Sequence, residues 1–422
     1  MIALRQASPR RLHAAGPSSH TLRVGLALLC GLCPAMAQDD AVALRGATVH
    51  PVAGPPIEGG VVIFAGGKIQ AIGDGQTPLP AGATVIDCEG AVITPGLVDA
   101  ATALGVSSRD ANEQGDEVTP HLHIVDVIDP AAPAFRRARR AGVTTAQVSP
   151  GNRNAVGGLG AVVKTRGDTV ADMLVRDETC LRVTLGSEPS AGNRPIRFGT
   201  PATIYYRRPN TRMGVVWAIR KAFYDAMAYR DRKTVPEEGE PAASDAGMEV
   251  LLQALERKLQ VRTTARAEQD IRTALRLAAE FGYETVVEEA TEAWRVADDL
   301  AAAQARVVFA APSADSSTDG AKPRWHSLNA LAAADVPFAI ATGSNKAALD
   351  LIHEVTFAVR NGLDRDAALA SVTLEPARIL GVAERVGSLE AGKDADLVVW
   401  SGDPFDPSSR PTRVYIDGKE VQ

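Results

Sequence analysis

The sequence predicts an α/β chain built as a closed (β/α)8 TIM-like barrel, with a small β-sandwich assembled from both chain ends. Three observations carry that expectation. Strand and helix patterns alternate regularly between about residues 260 and 360. Two β-rich segments enclose that middle. The 422 residues leave room for the roughly 250 that such a barrel takes, plus a second small domain. A doubly wound open sheet is the runner-up. The expected boundaries are 1–37 for an export signal, 38–93 with 382–422 for the sandwich, and 94–381 for the barrel.

The N-terminal end reads as short strands and tight turns. Val61-Val62-Ile63-Phe64 and Lys68-Ile69-Gln70-Ala71-Ile72 flank Ala65-Gly66-Gly67, a hairpin signal. Thr84-Val85-Ile86 follows. The C-terminal end has the same texture, with Asp396 to Trp400 and Arg413 to Lys419 as strands around a Pro-rich loop. Between them, Phe135 to Ala141 reads as a helix and Val143 to Val148 as a strand. Met213 to Arg230 and Met248 to Leu259 are helical, separated by a charged surface loop, Arg232 to Asp245. Strands at Val261–Thr264, Thr285–Glu288, Arg306–Ala310 and Phe338–Ala341 then alternate with helices at Glu268–Phe281, Glu292–Ala303, Leu328–Ala334 and Ala347–Val359. Repeated units of this kind favour a parallel sheet.

Residues 1–38 contain no Asp or Glu. A basic region is followed by the short apolar run Val24 to Cys33 and then by Ala35-Met36-Ala37, the order of an export signal with a small-x-small cleavage site. The run is too short to span a bilayer, so a periplasmic or secreted protein with no membrane attachment after cleavage is expected. Arg10-Arg11 lies too far from the run to favour twin-arginine export. Cleavage leaves Cys88 and Cys180, which are either a pair or two separate buried thiols. The formal charge of −6 gives no electrostatic case for nucleic acid or an anionic membrane.

In a parallel barrel, chemistry sits at the C-terminal ends of strands. Ile93-Thr94-Pro95-Gly96-Leu97-Val98-Asp99-Ala100-Ala101-Thr102-Ala103-Leu104-Gly105 reads as a buried strand ending at a Gly-rich mouth. It resembles the opening signature of the amidohydrolase superfamily, Pro-Gly-Leu-Ile-Asp-x-His-x-His, with alanine at both histidine positions. Glu375 to Gly381 followed by Gly387-Ser388-Leu389-Glu390-Ala391-Gly392-Lys393-Asp394-Ala395-Asp396-Leu397-Val398-Val399 is similar to the superfamily's closing signature. Val156-Gly157-Gly158-Leu159-Gly160 and Asn210-Thr211-Arg212-Met213-Gly214 resemble segments of a secreted, imidazolonepropionase-like subgroup. The Gly-rich run lacks the Gly-Lys-Ser/Thr of a Walker motif and precedes a strand, which argues against a dinucleotide site.

The resemblance implies one or two divalent metals, held by the first-strand histidines, often by a carboxylated lysine, by two middle-strand histidines and by a last-strand aspartate. Residue by residue, Ala101 and Ala103 offer no donor atom. Thr264 stands where the first middle histidine is expected, Glu289 where the second is, and Asn345 where the aspartate is. An amide cannot take up the proton. Arg182 is the candidate for the lysine position, and arginine stays protonated. The expected pocket is therefore Asp99, Ala101, Ala103, Thr264, Glu289 and Asn345, with Lys164, Glu289, Asn345 and Arg212 as the candidates for any chemistry. Lys164 reads equally as a strand-end surface lysine.

Two readings follow. In the first, the chain is an exported protein of this superfamily that has lost the metal-dependent C–N hydrolase site. It then acts without a cofactor as a binding or partner subunit, a pseudoenzyme, with a small molecule or peptide as ligand or a homologous amidohydrolase as partner. In the second, it is an active hydrolase of cyclic-amide, imidazolone or dipeptide C–N bonds, with zinc at a rearranged site around His121, His123, Glu289 and Lys164. On a strand His121 and His123 would share a face; in a loop between Pro120 and Asp129-Pro130 they need not.

Overall fold

The computed structural model describes residues 41–191, 208–234, 244–310, 319, 321, 324, 326–343 and 351–422. The export segment 1–37 and Asn345 lie outside the described residues. Strands β1 (Val42–Val49), β2 (Ile57–Ala65), β3 (Lys68–Gly73), β4 (Thr84–Asp87) and β5 (Val92–Pro95) form one part of a terminal sheet. The barrel strands follow: β6 (Leu97–Thr102), β7 (Val143–Val148), β8 (Val156–Lys164), β9 (Leu174–Thr184), β10 (Gln260–Ala265), β11 (Thr285–Glu289), β12 (Arg306–Ala310) and β13 (Phe338–Ala341). The chain then returns to the terminal sheet through β14 (Leu397–Trp400), β15 (Pro411–Ile416) and β16 (Lys419–Glu420). The helices are α1 (Pro133–Arg140), α2 (Val170–Met173), α3 (Arg212–Thr234), α4 (Ala246–Leu255), α5 (Glu268–Phe281), α6 (Ala297–Ala302), α7 (Ser327–Ala333), α8 (Leu351–Arg360), α9 (Arg365–Ala370) and α10 (Leu374–Ile379). Among the described residues no helix is long and apolar enough to cross a membrane.

In the terminal sheet the order is β16-β15-β14-β5-β1-β2-β3, with β4 also on β1. Phe64 of β2 and Tyr415 of β15 nonetheless meet at 5.1 Å between ring centroids. Four strand spacings of about 4.8 Å would separate them in a flat sheet. The sheet is therefore folded over on itself, around a core that includes Leu44, Val62, Ile69, Cys88, Ile93 and Leu397.

The barrel strands run in chain order around the wall. At the mouth end, β6 and β13 close it through a Thr102–Gly343 bridge, the Gly343 N–H donating to Ala101 O at 2.9 Å. Lower down the seam, the turn before α10 fills the gap. Ser371 O and Val372 O accept the N–H groups of Ile340 and Val98. One strand departs from the all-parallel expectation: β8 is antiparallel to both β7 and β9. Residues 149–155 are too few for a crossover, which needs a dozen or more, so the chain can only turn back.

Alternation along the strands sorts side chains between two environments. Leu181, Val183, Val261, Ala265 and Val287 face the helical layer. Ala100, Ala101, Val286, Val308, Ala339 and Ala341 face the lumen. These lumen residues are small, and their size leaves room that long charged side chains fill.

Candidate functional site

The barrel mouth and lumen are built from the C-terminal halves of β6 and β9–β13, where buried parallel strands normally carry continuous apolar residues. Here they carry charges. Arg182 on β9, Arg262 on β10 and Glu288 on β11 are each at most 1% exposed. Glu288 lies between the two guanidinium groups, one carboxylate oxygen on Arg182 Nη1 and the other on Arg262 Nε. Arg262 Nη2 donates to Ala100 O at 2.7 Å. Burial lowers the pKa of both arginines, that of Arg262 to about 10, which leaves Arg262 cationic at neutral pH.

Asn152, from the turn between β7 and β8, joins this triad to the rim. Its Oδ1 accepts from Arg182 Nε and Nη2 at 3.2 and 2.6 Å and from Thr264 Oγ1 at 3.1 Å. Its Nδ2 donates to Glu289 Oε1 at 3.0 Å. Glu289 also meets Arg266 Nε, while Arg266 Nη2 reaches Glu188 at 2.8 Å. Burial alone would lower the Arg266 pKa, but Glu289 and Glu188 more than reverse it. Glu289 and Ala290 have φ of +66° and +35°, a left-handed stretch that non-glycine residues keep only when their surroundings hold it. The bonds from Asn152 and Arg266 to Glu289 supply that hold.

Asp99 lies deeper, fully buried on β6. It accepts the Ala101 N–H at 3.3 Å, the Thr342 N–H at 3.1 Å and the Thr342 hydroxyl. Burial pushes its pKa up to about 6, against those hydrogen bonds and the charge of Arg262.

The structure thus brings Asp99, Ala101, Thr264 and Glu289 to one region, with Ala103 half-buried just beyond β6. Arg212, at the start of α3, lies on the rim, paired with Asp319 at 2.8 Å and Asp270 at 3.4 Å. Lys164 does not join them. Because β8 runs antiparallel, its C-terminal end lies at the floor of the barrel. There the Lys164 ammonium, 3% exposed, meets Asp394, Asp396 and Asp417 at 2.8–2.9 Å. The closing signature supplies two of those three aspartates, so its role is to tie the terminal sheet to the barrel floor.

The second expected constellation is not assembled either. His123 stands 3.8 Å from Glu178 and lines a cleft of about 230 Å³ with Leu122, Val127 and Gly158. His121 lines a different hollow with Tyr229 and Asp245. Among the described residues no group of three or more His, Cys, Asp or Glu is placed to hold a metal ion. The glycines of the run at 157–160 serve close packing: a Cβ at Gly158 would come within 2.1 Å of Leu122 O, and one at Gly160 within 2.4 Å of Gln147 Nε2. Cys88 and Cys180 are both free and buried, one in the terminal sheet and the other beside Gln147.

Sequence reasoning passed over Arg262, Glu288, Asn152, Arg266 and Asp319. The signal was present for the first two, since a charge inside a central parallel strand must face the lumen and find a partner there.

Comparison with known proteins gives a consistent set of relatives. Residues 196–421 match the amidohydrolase family. The chain is 27% identical over 398 residues to the amidohydrolase tasK of Hapsidospora irregularis, an alignment covering 86% of this chain; the chain spans 39% of that protein's length. It is 28% identical over 386 residues to the imidazolonepropionase of Caulobacter sp. (strain K31), covering 82% of this chain and 88% of that protein. An amidohydrolase from Thermotoga maritima MSB8 superposes with a TM-score of 0.81 at 33% identity, covering 90% of this chain and 99% of that chain.

Proposed function

We propose that this chain, which belongs to the amidohydrolase family, has exchanged the family's metal centre for an internal arginine–carboxylate network and works as a binding or partner subunit. The observation that carries the reading is the Arg182–Glu288–Arg262 triad in the lumen. Both oxygens of the Glu288 carboxylate are engaged by guanidinium groups. A divalent cation at that point would face two cations; on the first strand the two histidine positions carry only methyl groups, and the buried carboxylate of Asp99 is taken up by the Ala101 and Thr342 N–H groups and the Thr342 hydroxyl. The donor set does not fit a transition metal, which calls for imidazole, thiolate or several free carboxylates. The residues at hand can bind and orient a ligand through guanidinium, amide and hydroxyl groups. Glu289 is committed to Arg266 and Asn152, and Asp99 to the Ala101 and Thr342 N–H groups and the Thr342 hydroxyl, so neither carboxylate is placed to serve as the base of a hydrolytic step.

In this reading the protein is exported to the periplasm, takes a small molecule or peptide at the mouth, and assembles with a homologous amidohydrolase that keeps its histidines. Fractionation of cells expressing the full chain tests the export step. Turnover tests the rest. The purified chain, supplemented in turn with zinc, manganese, iron and nickel, is incubated with an imidazolone, cyclic amides and dipeptides. No product above the blank is the expected result. Metal-stimulated turnover that disappears in Glu289→Ala would overturn the reading.

A further inference from the structure

One carboxylate at the mouth comes from outside the strand ends. Asp319 belongs to the connection between β12 and α7, and its side chain is 1% exposed. Its Oδ1 accepts the Ser187 backbone N–H at 2.6 Å and Arg212 Nη2 at 2.8 Å; its Oδ2 accepts Arg266 Nη1 at 3.3 Å. Beneath it, Gly186 has φ +90°, and a Cβ there would come within 2.5 Å of Oδ2. A backbone N–H, two guanidinium groups and a glycine floor surround one carboxylate. This is the donor set that gives short, charge-assisted bonds to that group.

The cradle does not depend on Asp319 for its shape. Arg266 is held independently by Glu188 and Glu289, Arg212 by Asp270, and Ser187 precedes a short turn of helix at Glu188–Ser190. Two arginines already face four carboxylates: Glu188, Asp270, Glu289 and Asp319. A further carboxylate can therefore enter only by replacing one. Glu188 and Asp319 both reach in from connecting segments, and Asp319 is the one that spans both guanidinium groups and the Ser187 N–H. We infer that this cradle is a binding site for the carboxylate of a small ligand, and that Asp319 occupies it as an internal competitor. The inference rests on the reading of the barrel as a binding module and names its ligand class.

Asp319→Ala empties the cradle and leaves room for acetate. The variant is expected to melt below the wild type, and acetate is expected to restore its Tm saturably, while chloride at equal ionic strength does not. A site closed most of the time by its own residue binds more weakly by the closed fraction, so acetate should bind Asp319→Ala at least about tenfold more tightly than wild type. Adding Arg266→Gln should abolish that gain. Glycylglycine and its C-terminal amide distinguish the sources. Binding of the dipeptide but not the amide identifies a peptide terminus, and acetate alone identifies a free organic acid; either supports the site. If Asp319→Ala does not fold, Asp319→Asn is read in its place, with the same dependence on Arg266 expected. Equal effects of acetate and chloride, no gain over wild type, or a gain that survives Arg266→Gln would overturn the inference. Stoichiometric bound metal in the unmodified chain would instead count against the parent reading.

Discussion

Replacing Glu288 by glutamine should leave two guanidinium groups buried at no more than 1% exposure without the carboxylate that lies between them. Removing one partner of a buried ion pair costs about 3–5 kcal/mol, because the remaining charge stays desolvated and unmatched. An unfolding entropy of about 2.1 cal/mol/K per residue gives roughly 0.8 kcal/mol/K for a folded unit of this size, so the expected fall in Tm is about 4–6 °C. Thermal unfolding followed by circular dichroism measures it directly. A companion variant makes the test sharper. Replacing all three residues with apolar side chains of similar length (Arg182→Met, Arg262→Met, Glu288→Leu) removes the unmatched charge along with the pair. Such replacements are often neutral or stabilising by about 1–4 kcal/mol. The triple variant should therefore melt above Glu288→Gln. A Glu288→Gln loss under about 1 °C, or a triple variant that melts below the single one, would mean that the triad does not act as a coupled buried unit.

The pKa of Asp99 is raised from 3.8 to about 6, so the folded state holds more protons than the unfolded between those values, and stability from this residue falls as pH rises through that window. Asp99→Asn lacks the penalty, and its stability relative to wild type should climb between about pH 4 and pH 7 by at most about 3 kcal/mol, or some 4 °C in Tm; a pH-independent difference would contradict this. Lys164→Met strips the ammonium from three aspartates at the barrel floor and should lower Tm by about 4–6 °C while leaving acetate binding to Asp319→Ala unchanged. Altered binding would place Lys164 in the mouth after all. Ala101→His with Ala103→His introduces an imidazole where Ala101 packs on Val286, Val308, Ala339 and Ala341. Overpacking of about 1–3 kcal/mol is expected, with elemental analysis finding well under one zinc per chain; stoichiometric zinc would mean that the remaining residues still complete a site.

Much of the frame was legible because local patterns specify it. The strand Val143–Val148, the helix Glu268–Phe281 and the strands Arg306–Ala310 and Phe338–Ala341 have the bounds that their apolar patterns mark. Glu292–Ala303 was read too long. Its first part is a short 310 turn, and the α-helix begins at Ala297, after the left-handed stretch at Glu289 and Ala290 redirects the chain. The direction of β8 has no local signature, since an alternating strand reads alike both ways; only the short connection before it carries the information. Lys164 was misplaced in consequence, because an antiparallel strand delivers its last residue to the opposite end of the barrel. The lumen triad was hidden for a different reason. The three charges stand far apart in sequence, and the partnership of Arg182 with Glu288 and of Glu288 with Arg262 exists only once three strands are side by side. Family motifs directed attention to positions 101, 103, 182, 264 and 289, and away from 262 and 288, which complete the charged triad with Arg182.

The most direct test of the proposed exchange of metal for arginine is elemental analysis of the folded chain, purified from cells grown with ample zinc, manganese, iron and nickel and without chelators. Substoichiometric metal of every kind is expected, in protein that is folded and melts cooperatively. Near-stoichiometric metal, lost together in the double variant His121→Ala, His123→Ala, would contradict it and point back to a working site outside the lumen.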